Sequence, residues 1–337
     1  MKHLNNYITE YIVKKKLDTP IDSEDHYEYF PETKEELSKN IEECLDSKNY
    51  NLNCIDTSKI TDMSDLFYDS KFENININVS NWDVSNVKDM NHMFCNCQKF
   101  NCDLSKWDVS NVTKMEYMFC NCVKFDCDLS NWNVSKVTNM DRTFVYCSKF
   151  TGKGLENWNV SNVTNMSHMF YYCENFDCDL SDWNVSSVVN MNMMFYNCKK
   201  FNCNLSNWDV SNVKTMNGMF DSCENFDCDL SKWDINNAES MYEMFANCGN
   251  FEGKGLENWN VSNITNMMGI FFQCINFNCN LSSWNISKVK NMSHMFQDCE
   301  KFEGKGLENW NVSNVINMRD IFDGCTSLKN KPSWYKE

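Results

Sequence analysis

Cysteine, histidine and tyrosine are the side chains of this sequence with chemistry to offer, and its 337 residues hold 20, 5 and 13 of them. In an oxidising compartment so many cysteines would suggest a disulfide framework, and Cys–His clusters at suitable spacing would suggest zinc. The spacing points elsewhere. Ten cysteines, from Cys97, Cys122 and Cys147 to Cys325, recur every 25 or 26 residues, and six more, among them Cys102, Cys127 and Cys279, keep a second fixed register. Side chains that repeat at one interval share one structural position, here a buried column in which a reduced thiol packs as a small hydrophobe. Cys95 and Cys120 stand two residues ahead of column members. They are expected to face outward, one above the other, where they could bridge neighbouring coils. The pairs Cys95/Cys97 and Cys120/Cys122 lack the reach of a C-x-x-C pair, so no metal site is predicted.

The histidines are spread in the same way. His92, His168 and His294 share a register but belong to repeats several coils apart, and His3 and His26 precede the repeats. They cannot converge into a triad or a chelate, and no H-E-x-x-H, G-x-S-x-G or glycine-rich phosphate loop occurs. Catalysis needs unlike groups converging on a pocket, whereas a regular array presents like groups at regular intervals. No catalytic residue, cofactor or metal is assigned, and the chain is expected not to be an enzyme.

The elements that position these residues are read from the tryptophans at 82, 107, 132, 158, 183, 208, 233, 259, 284 and 310. With each tryptophan as position 0, Leu or Val stands three before it, Val or Ile at 2, mostly Val or Ile at 5, Met at 8, Phe at 12 and Cys at 15. Ile55–Phe67 is a degenerate eleventh copy that starts the series. In 99–109, Phe100, Cys102, Leu104, Trp107 and Val109 alternate with polar residues, which predicts short strands. From Val112 through Met115, Met118, Phe119 and Cys122 the spacing becomes three to four, which predicts a short helical turn. Such a unit cannot bury its apolar side alone. It must stack on its copies with strands parallel, about 4.8 Å apart, giving a rod of roughly 50 Å. The fold class is therefore a repeat solenoid of short parallel strands and short helical turns with a helical N-terminal cap.

Length alone would suggest two domains, but the repeats and the absence of a Pro- or Gly/Ser-rich linker indicate one array. The organisation expected is an amphipathic helix over 1–17, a linker and capping helix over 18–54, the solenoid over 55–325 and a C-terminal cap over 326–337. The cap helix carries a capping box from Thr33 to Glu36, with Leu37, Ile41, Cys44 and Leu45 on one face. Segment 1–17 could dock on the solenoid or recruit a partner. At the far end Pro332, Trp334 and Tyr335 can fold over the last coil. A formal charge of −16 repels phosphate backbones and anionic lipid, so nucleic acid is an unexpected partner. No secretory signal or membrane-length apolar window is read, so an intracellular or virion-associated location is expected over ordinary secretion, without membrane insertion.

Two details separate repeats from one another. Three junctions carry an extra residue within GKGLENW, and Gly152, Gly253 and Gly304 replace a strand cysteine there, which suggests a bulge. Positions 13 and 14 concentrate aromatics beyond the core set, with Val145 and Tyr146, Tyr171 and Tyr172, Tyr196 and Phe272. These rings either anchor a partner or fold over the coil edge to complete the core. At positions 1 and 3, Asp or Asn and then Ser, as in Asp108 and Ser110, form polar ladders that satisfy turn groups or offer a binding surface.

The WDVSNV segments Trp82–Val87, Trp107–Val112 and Trp208–Val213, together with the recurrent M-x-x-M-F-x-x-C, resemble the BspA-like leucine-rich repeat family in its mycoplasma-type branch. The resemblance spans roughly 55–325. It implies a leucine-rich-repeat-like solenoid acting in adhesion or partner recognition, found in bacteria, protists and large DNA viruses or phages, and it implies no reaction. The function expected is a non-enzymatic protein-recognition or adhesion scaffold for a host protein or a second copy of itself. The alternative is a structural component of a virion or other assembly.

Overall fold

The computed structural model describes residues 27–68 and 70–336. The helix expected over 1–17 and the start of the linker lie outside these residues. Helix α1, Lys34–Asp46, opens with Thr33, whose hydroxyl accepts the Glu36 N–H at 3.2 Å, while the Glu32 N–H donates to the Glu36 carboxylate at 2.7 Å. One orphan donor of the first turn, and the N–H just before the cap, are thereby satisfied. Leu37, Ile41 and Cys44 are buried on one face, with Leu45 packed beside them, so α1 covers the first coil as a cap.

The segment expected to be helical in every coil is instead a run of reverse turns. Position 10 has φ of 55° at His92, 56° at Tyr117 and 55° at Arg142, and position 14 has φ of 70° at Asn96 and 59° at Asn121. These left-handed residues break an α-helix twice within five residues. The N–H groups then alternate in direction. Met93, Cys95 and Cys97 donate to carbonyls three residues back, whereas Met90, His92, Phe94 and Asn96 donate to Lys114, Glu116, Met118 and Cys120 of the next coil at 2.7–2.9 Å. The three-residue spacing of buried side chains is the period of the turns. A helix was excluded because backbones bonded between coils lie about 5 Å apart, whereas helices pack no closer than 8–10 Å.

The predicted strands shrink for a related reason. Pairing is parallel, but among the described residues it consists of isolated bridges, most of them at position 7, such as Asn165↔Asn190 and Asn190↔Thr215. The alternating stretch before each tryptophan is irregular backbone that still points Phe100, Cys102 and Leu104 inward. Alternation of apolar residues reports burial on one side; it does not by itself create a ladder.

What holds the coils together is a set of columns. Each indole N–H donates to the carbonyl of the Leu or Val three positions before the tryptophan of the preceding coil, as in Trp208 to Leu180 at 2.9 Å and Trp183 to Leu155 at 2.8 Å. The rings are nearly parallel from coil to coil, with 6.3 Å and 1° between Trp107 and Trp132. Position 12 phenylalanines stack likewise, with Phe119 and Phe144 at 5.5 Å and 6°. The position 15 cysteines are more than small hydrophobes: the thiol of Cys122 donates to the Phe94 carbonyl at 3.0 Å, and that of Cys223 to Phe195 at 3.0 Å. Burial pushes these thiols up, Cys223 well above its ordinary value, which keeps the proton that the bond requires.

Polar side chains complete the stack outside. Asp108 Oδ1 accepts the Ser110 N–H at 3.0 Å, and the same Asx turn recurs at Asp83, Asn133 and Asp209. The asparagine that follows, at position 4, has a role not legible in the repeat pattern. It reaches back to the preceding coil, with Asn111 Nδ2 donating to the Ser85 carbonyl at 2.7 Å and Asn212 to Ser186 at 2.8 Å.

The glycine junctions are not simple bulges. Gly152 and Gly154 both have positive φ, 88° and 92°, and lead into a single 3₁₀ turn, Leu155–Asn157. A Cβ on Gly154 would lie 2.2 Å from the Ser130 nitrogen of the neighbouring coil, so close backbone approach is what demands glycine there. At the C-terminal end Trp334 extends the indole column: it stacks on Trp310 at 6.2 Å and donates to the Leu307 carbonyl at 2.7 Å. Trp334 thus takes the place of the tryptophan of one more, partial unit.

Candidate recognition face

Position 14 is left-handed in every tryptophan-marked coil, so its side chain is thrown to the same side of the stack each time. Along this column stand Tyr146, Tyr172, Asn197, Ser222, Asn247, Gln273 and Asp298. Their N–H groups each bond to position 13 of the next coil at 2.7–2.8 Å, so the backbone beneath is uniform while the side chains differ.

The structure brings four of the five singled-out aromatics together. Tyr171 stacks on Tyr196 at 4.7 Å and lies 4.9 Å from Tyr172, and Tyr146 touches Tyr171 and Tyr172 at 5.5 and 5.2 Å. Tyr146 is 45% exposed; Tyr171, Tyr172 and Tyr196 are half-buried. Phe272 is half-buried but lies coils away and makes no ring contact with the tyrosines. Val145 belongs to the core. Burial raises the Tyr171 hydroxyl, with Tyr146 adding to it, and burial together with the nearby Asp221 carboxylate pushes Tyr196 up to about 12. Both stay neutral and keep their O–H donors at neutral pH.

Beyond the tyrosines the same column becomes the floor of a groove of about 980 Å³ crossing successive coils, lined by Asn197, Glu224, Asn247, Gly249, Gln273 and Asp298 among others. Carboxylates outnumber cations in it: Glu224, Asp298 and Glu300 face Lys199, which is already paired with Glu174 at 3.5 Å. Asp221 lies under the junction of groove and tyrosines, only 4% exposed, accepting from Ser222 Oγ at 2.8 Å and Asn247 Nδ2 at 2.9 Å. Burial pushes its carboxyl up to about 6 against those two hydrogen bonds, and Glu243 adds to the rise.

A second stripe runs along position 10 and was not legible as a unit. There His92 stacks on Tyr117 at 4.7 Å and the Arg142 guanidinium lies 5.3 Å from the Tyr117 ring, while Tyr68, at position 13 of the starter coil, meets the His92 ring edge-on at 5.9 Å. Arg142 pairs with Asp141 at 2.7 Å. His168 meets both Ser167 Oγ, at 2.7 Å, and Asp141, at 3.9 Å, through the same ring nitrogen Nδ1. A hydrolytic triad needs its base to join nucleophile and carboxylate through opposite nitrogens, so this trio does not form one. Burial, helped by Arg142, pulls His168 down to about 4.

The position 13 cysteines are placed differently from the expectation. Cys95 is buried and Cys120 half-buried, tucked under the turn edge one above the other, with the N–H of Asn96, next to Cys95, donating to the Cys120 carbonyl at 2.7 Å. Cys97 and Cys122 donate to the opposite side, into the core. Among the described residues no group of three or more His, Cys, Asp or Glu is arranged to hold a metal ion. No helix among them is long and apolar enough to cross a membrane.

Uniform turn-built coils with one variable face define a tandem-repeat solenoid. A family model described as Mycoplasma protein of unknown function, DUF285, matches three times in tandem, over residues 35–154, 138–255 and 239–336, and the chain belongs to that family. Its fold is also similar to that of a leucine-rich repeat protein from Eubacterium ventriosum, with a TM-score of 0.41 and 13% identity over 84% of each chain. A comparison with curated proteins gives no match.

Proposed function

We propose that this chain is a non-enzymatic recognition scaffold of the BspA-like type, and that the face running from Tyr146 to Asp298 holds an extended, basic segment of a partner protein. The observation that carries this reading is the continuity of the tyrosine cluster with the acidic groove along one backbone column. Tyrosine rings are rigid, amphipathic anchors, and clustered rings attract Lys or Arg side chains by cation–π contact. Groove amides such as Asn247 and Gln273 offer both donor and acceptor to a peptide backbone, and the carboxylates set the sign of the partner. Elongated solenoid faces suit elongated partners.

The test is selection of short displayed peptides on the wild-type chain, followed by titration of the enriched peptides against two variants. Tyr146→Ser removes an exposed ring, and Gly249→Tyr fills the groove at a site where a Cβ would meet no atom within 4 Å. Enrichment of basic peptides whose affinity falls at least tenfold in both variants, with unchanged melting, supports the reading. Binding indifferent to both substitutions, or self-association detected by light scattering that they abolish, replaces it with another face or with an assembly role.

A further inference from the structure

Sixteen of the twenty cysteines occupy the two column registers, and all twenty are unbridged in this structure. The four that the repeat does not account for, Cys44, Cys54, Cys95 and Cys120, are not scattered. Cys44 of α1 and Cys54 at the entry to the first coil have their sulfurs 3.9 Å apart. Cys95 and Cys120 occupy position 13 of consecutive coils, held in register by the flanking Phe94 and Asn96 N–H groups, which donate to the Met118 and Cys120 carbonyls at 2.9 and 2.7 Å. Thus every off-column thiol faces one other off-column thiol, and each pair crosses a packing boundary: cap to coil, and coil to coil.

We propose that Cys95/Cys120 and Cys44/Cys54 are two thiol–disulfide exchange sites, each taking a small-molecule disulfide as oxidant and closing to an internal bond that fastens the N-terminal end of the stack. At the first site Cys120 is the attacking residue. It is half-buried where Cys95 is buried, and the neighbouring Cys95 thiol and the Arg142 guanidinium hold its thiol below the ordinary value against the opposing effect of burial. Cys95, raised by the neighbouring Cys120 and by burial, keeps its proton until Cys120 has reacted. The Cys120 thiolate attacks one sulfur of the external disulfide, forming a mixed disulfide and expelling one thiolate. Cys95 then loses its proton and displaces the second thiolate from Cys120. Two protein thiols are oxidised by two electrons, one external disulfide is reduced to two thiols, and the two protons end on those thiols. At the second site the half-buried Cys54 is the accessible member, and burial, with Cys54 adding, pushes Cys44 up to about 12, which makes Cys44 the resolving residue.

Column thiols are outside this chemistry. Cys122, Cys147 and Cys198 are buried and commit their S–H to carbonyls of the preceding coil. Attack requires a thiolate and access, and they have neither.

The experiment uses the full, reduced chain incubated with glutathione disulfide, then quenched, alkylated under native and denaturing conditions, and mapped by peptide mass spectrometry. Two internal bonds, Cys95–Cys120 and Cys44–Cys54, with the column cysteines alkylated only after denaturation and a raised denaturation midpoint, are the expected result. Cys95→Ser should trap one glutathionyl group on Cys120, and Cys120→Ser should leave Cys95 unmodified while Cys44–Cys54 still closes. Stable glutathione adducts in the wild-type chain without internal bonds, bonds that involve column cysteines, or no reaction in the native chain each overturn the proposal.

Discussion

Two stretches of the position 14 column share a backbone and differ in everything else. In the Trp132 and Trp158 coils the residue is Tyr146 or Tyr172, with φ of 62° and 61°; in the Trp183 to Trp259 coils it is Asn197, Ser222, Asn247 and Gln273, with φ between 57° and 61°. The bonds to the next coil are 2.7–2.8 Å throughout. Asparagine tolerates the left-handed region, whereas tyrosine has no intrinsic preference for it and there carries strain of roughly 1 kcal/mol or more. The stack therefore dictates the conformation, and the side chain is free to be chosen for what it meets outside. Fold and recognition are written on separate positions of the same 25-residue unit.

The largest test of that separation sets a column residue against a face residue. Trp208→Ala removes a ring stacked 6.5 Å from Trp183 and the indole bond to Leu180, and should cost about 3–5 kcal/mol, read as a lowered urea midpoint. Tyr146→Ser should change stability by less than about 1 kcal/mol. If the two variants unfold alike, the tyrosines are part of the core and the face has no independent identity.

Two glycines make the next comparison. Gly255, φ 91°, has no room: a Cβ would sit 2.2 Å from the Ser231 nitrogen, so Gly255→Ala should cost roughly 3 kcal/mol through strain and a forced backbone shift between coils. Gly249, in the groove wall, has neither a positive φ nor a neighbour within 4 Å, and Gly249→Ala should be neutral or stabilising by up to about 1 kcal/mol. Denaturation midpoints of the two variants measure the difference directly; equal losses would mean that the groove wall is also part of the packing.

The columns were legible because a residue that recurs at one interval can only stack on itself: Trp107, Phe119 and Cys122 announced the solenoid, and the aromatics at Tyr146, Tyr171, Tyr172 and Tyr196 announced the cluster. The turn geometry was not. Buried residues three apart suit both an α-helix and consecutive reverse turns, and the deciding information is the left-handed φ at His92 and Asn96, residues whose types permit that region without requiring it. The groove was hidden for a different reason, since Asn197, Asn247 and Gln273 read as ordinary turn residues until their shared direction is known. Asp221 gave no signal because its burial comes from its neighbours and not from its own type.

Asp221 also supplies the finest test, because it sits where tyrosines give way to amides. Its folded-state carboxyl, pushed up to about 6, holds a proton that the unfolded chain releases near the ordinary value of about 3.9. Between about pH 4 and 6 the native state binds more protons, so this group makes stability fall as pH rises, and above pH 6 the whole penalty is present. His168, pulled down to about 4, acts in the opposite sense: below about pH 6.5 the unfolded chain takes up a proton that the native state refuses, so stability falls as pH falls. The two contributions oppose each other across the same window, and only single variants separate them. Asp221→Asn keeps an acceptor for Asn247 and Ser222 and loses the buried charge; it should raise stability at pH 7 by about 1–2 kcal/mol, with the gain vanishing by pH 4. His168→Gln should leave pH 7 stability nearly unchanged and flatten the acid side between about pH 6.5 and 4. Urea midpoints at half-unit pH steps give both differences, and a loss of stability in Asp221→Asn at pH 7 would mean that the charge itself, facing Tyr196, Tyr242 and Glu243, is what holds the junction of the two stretches together.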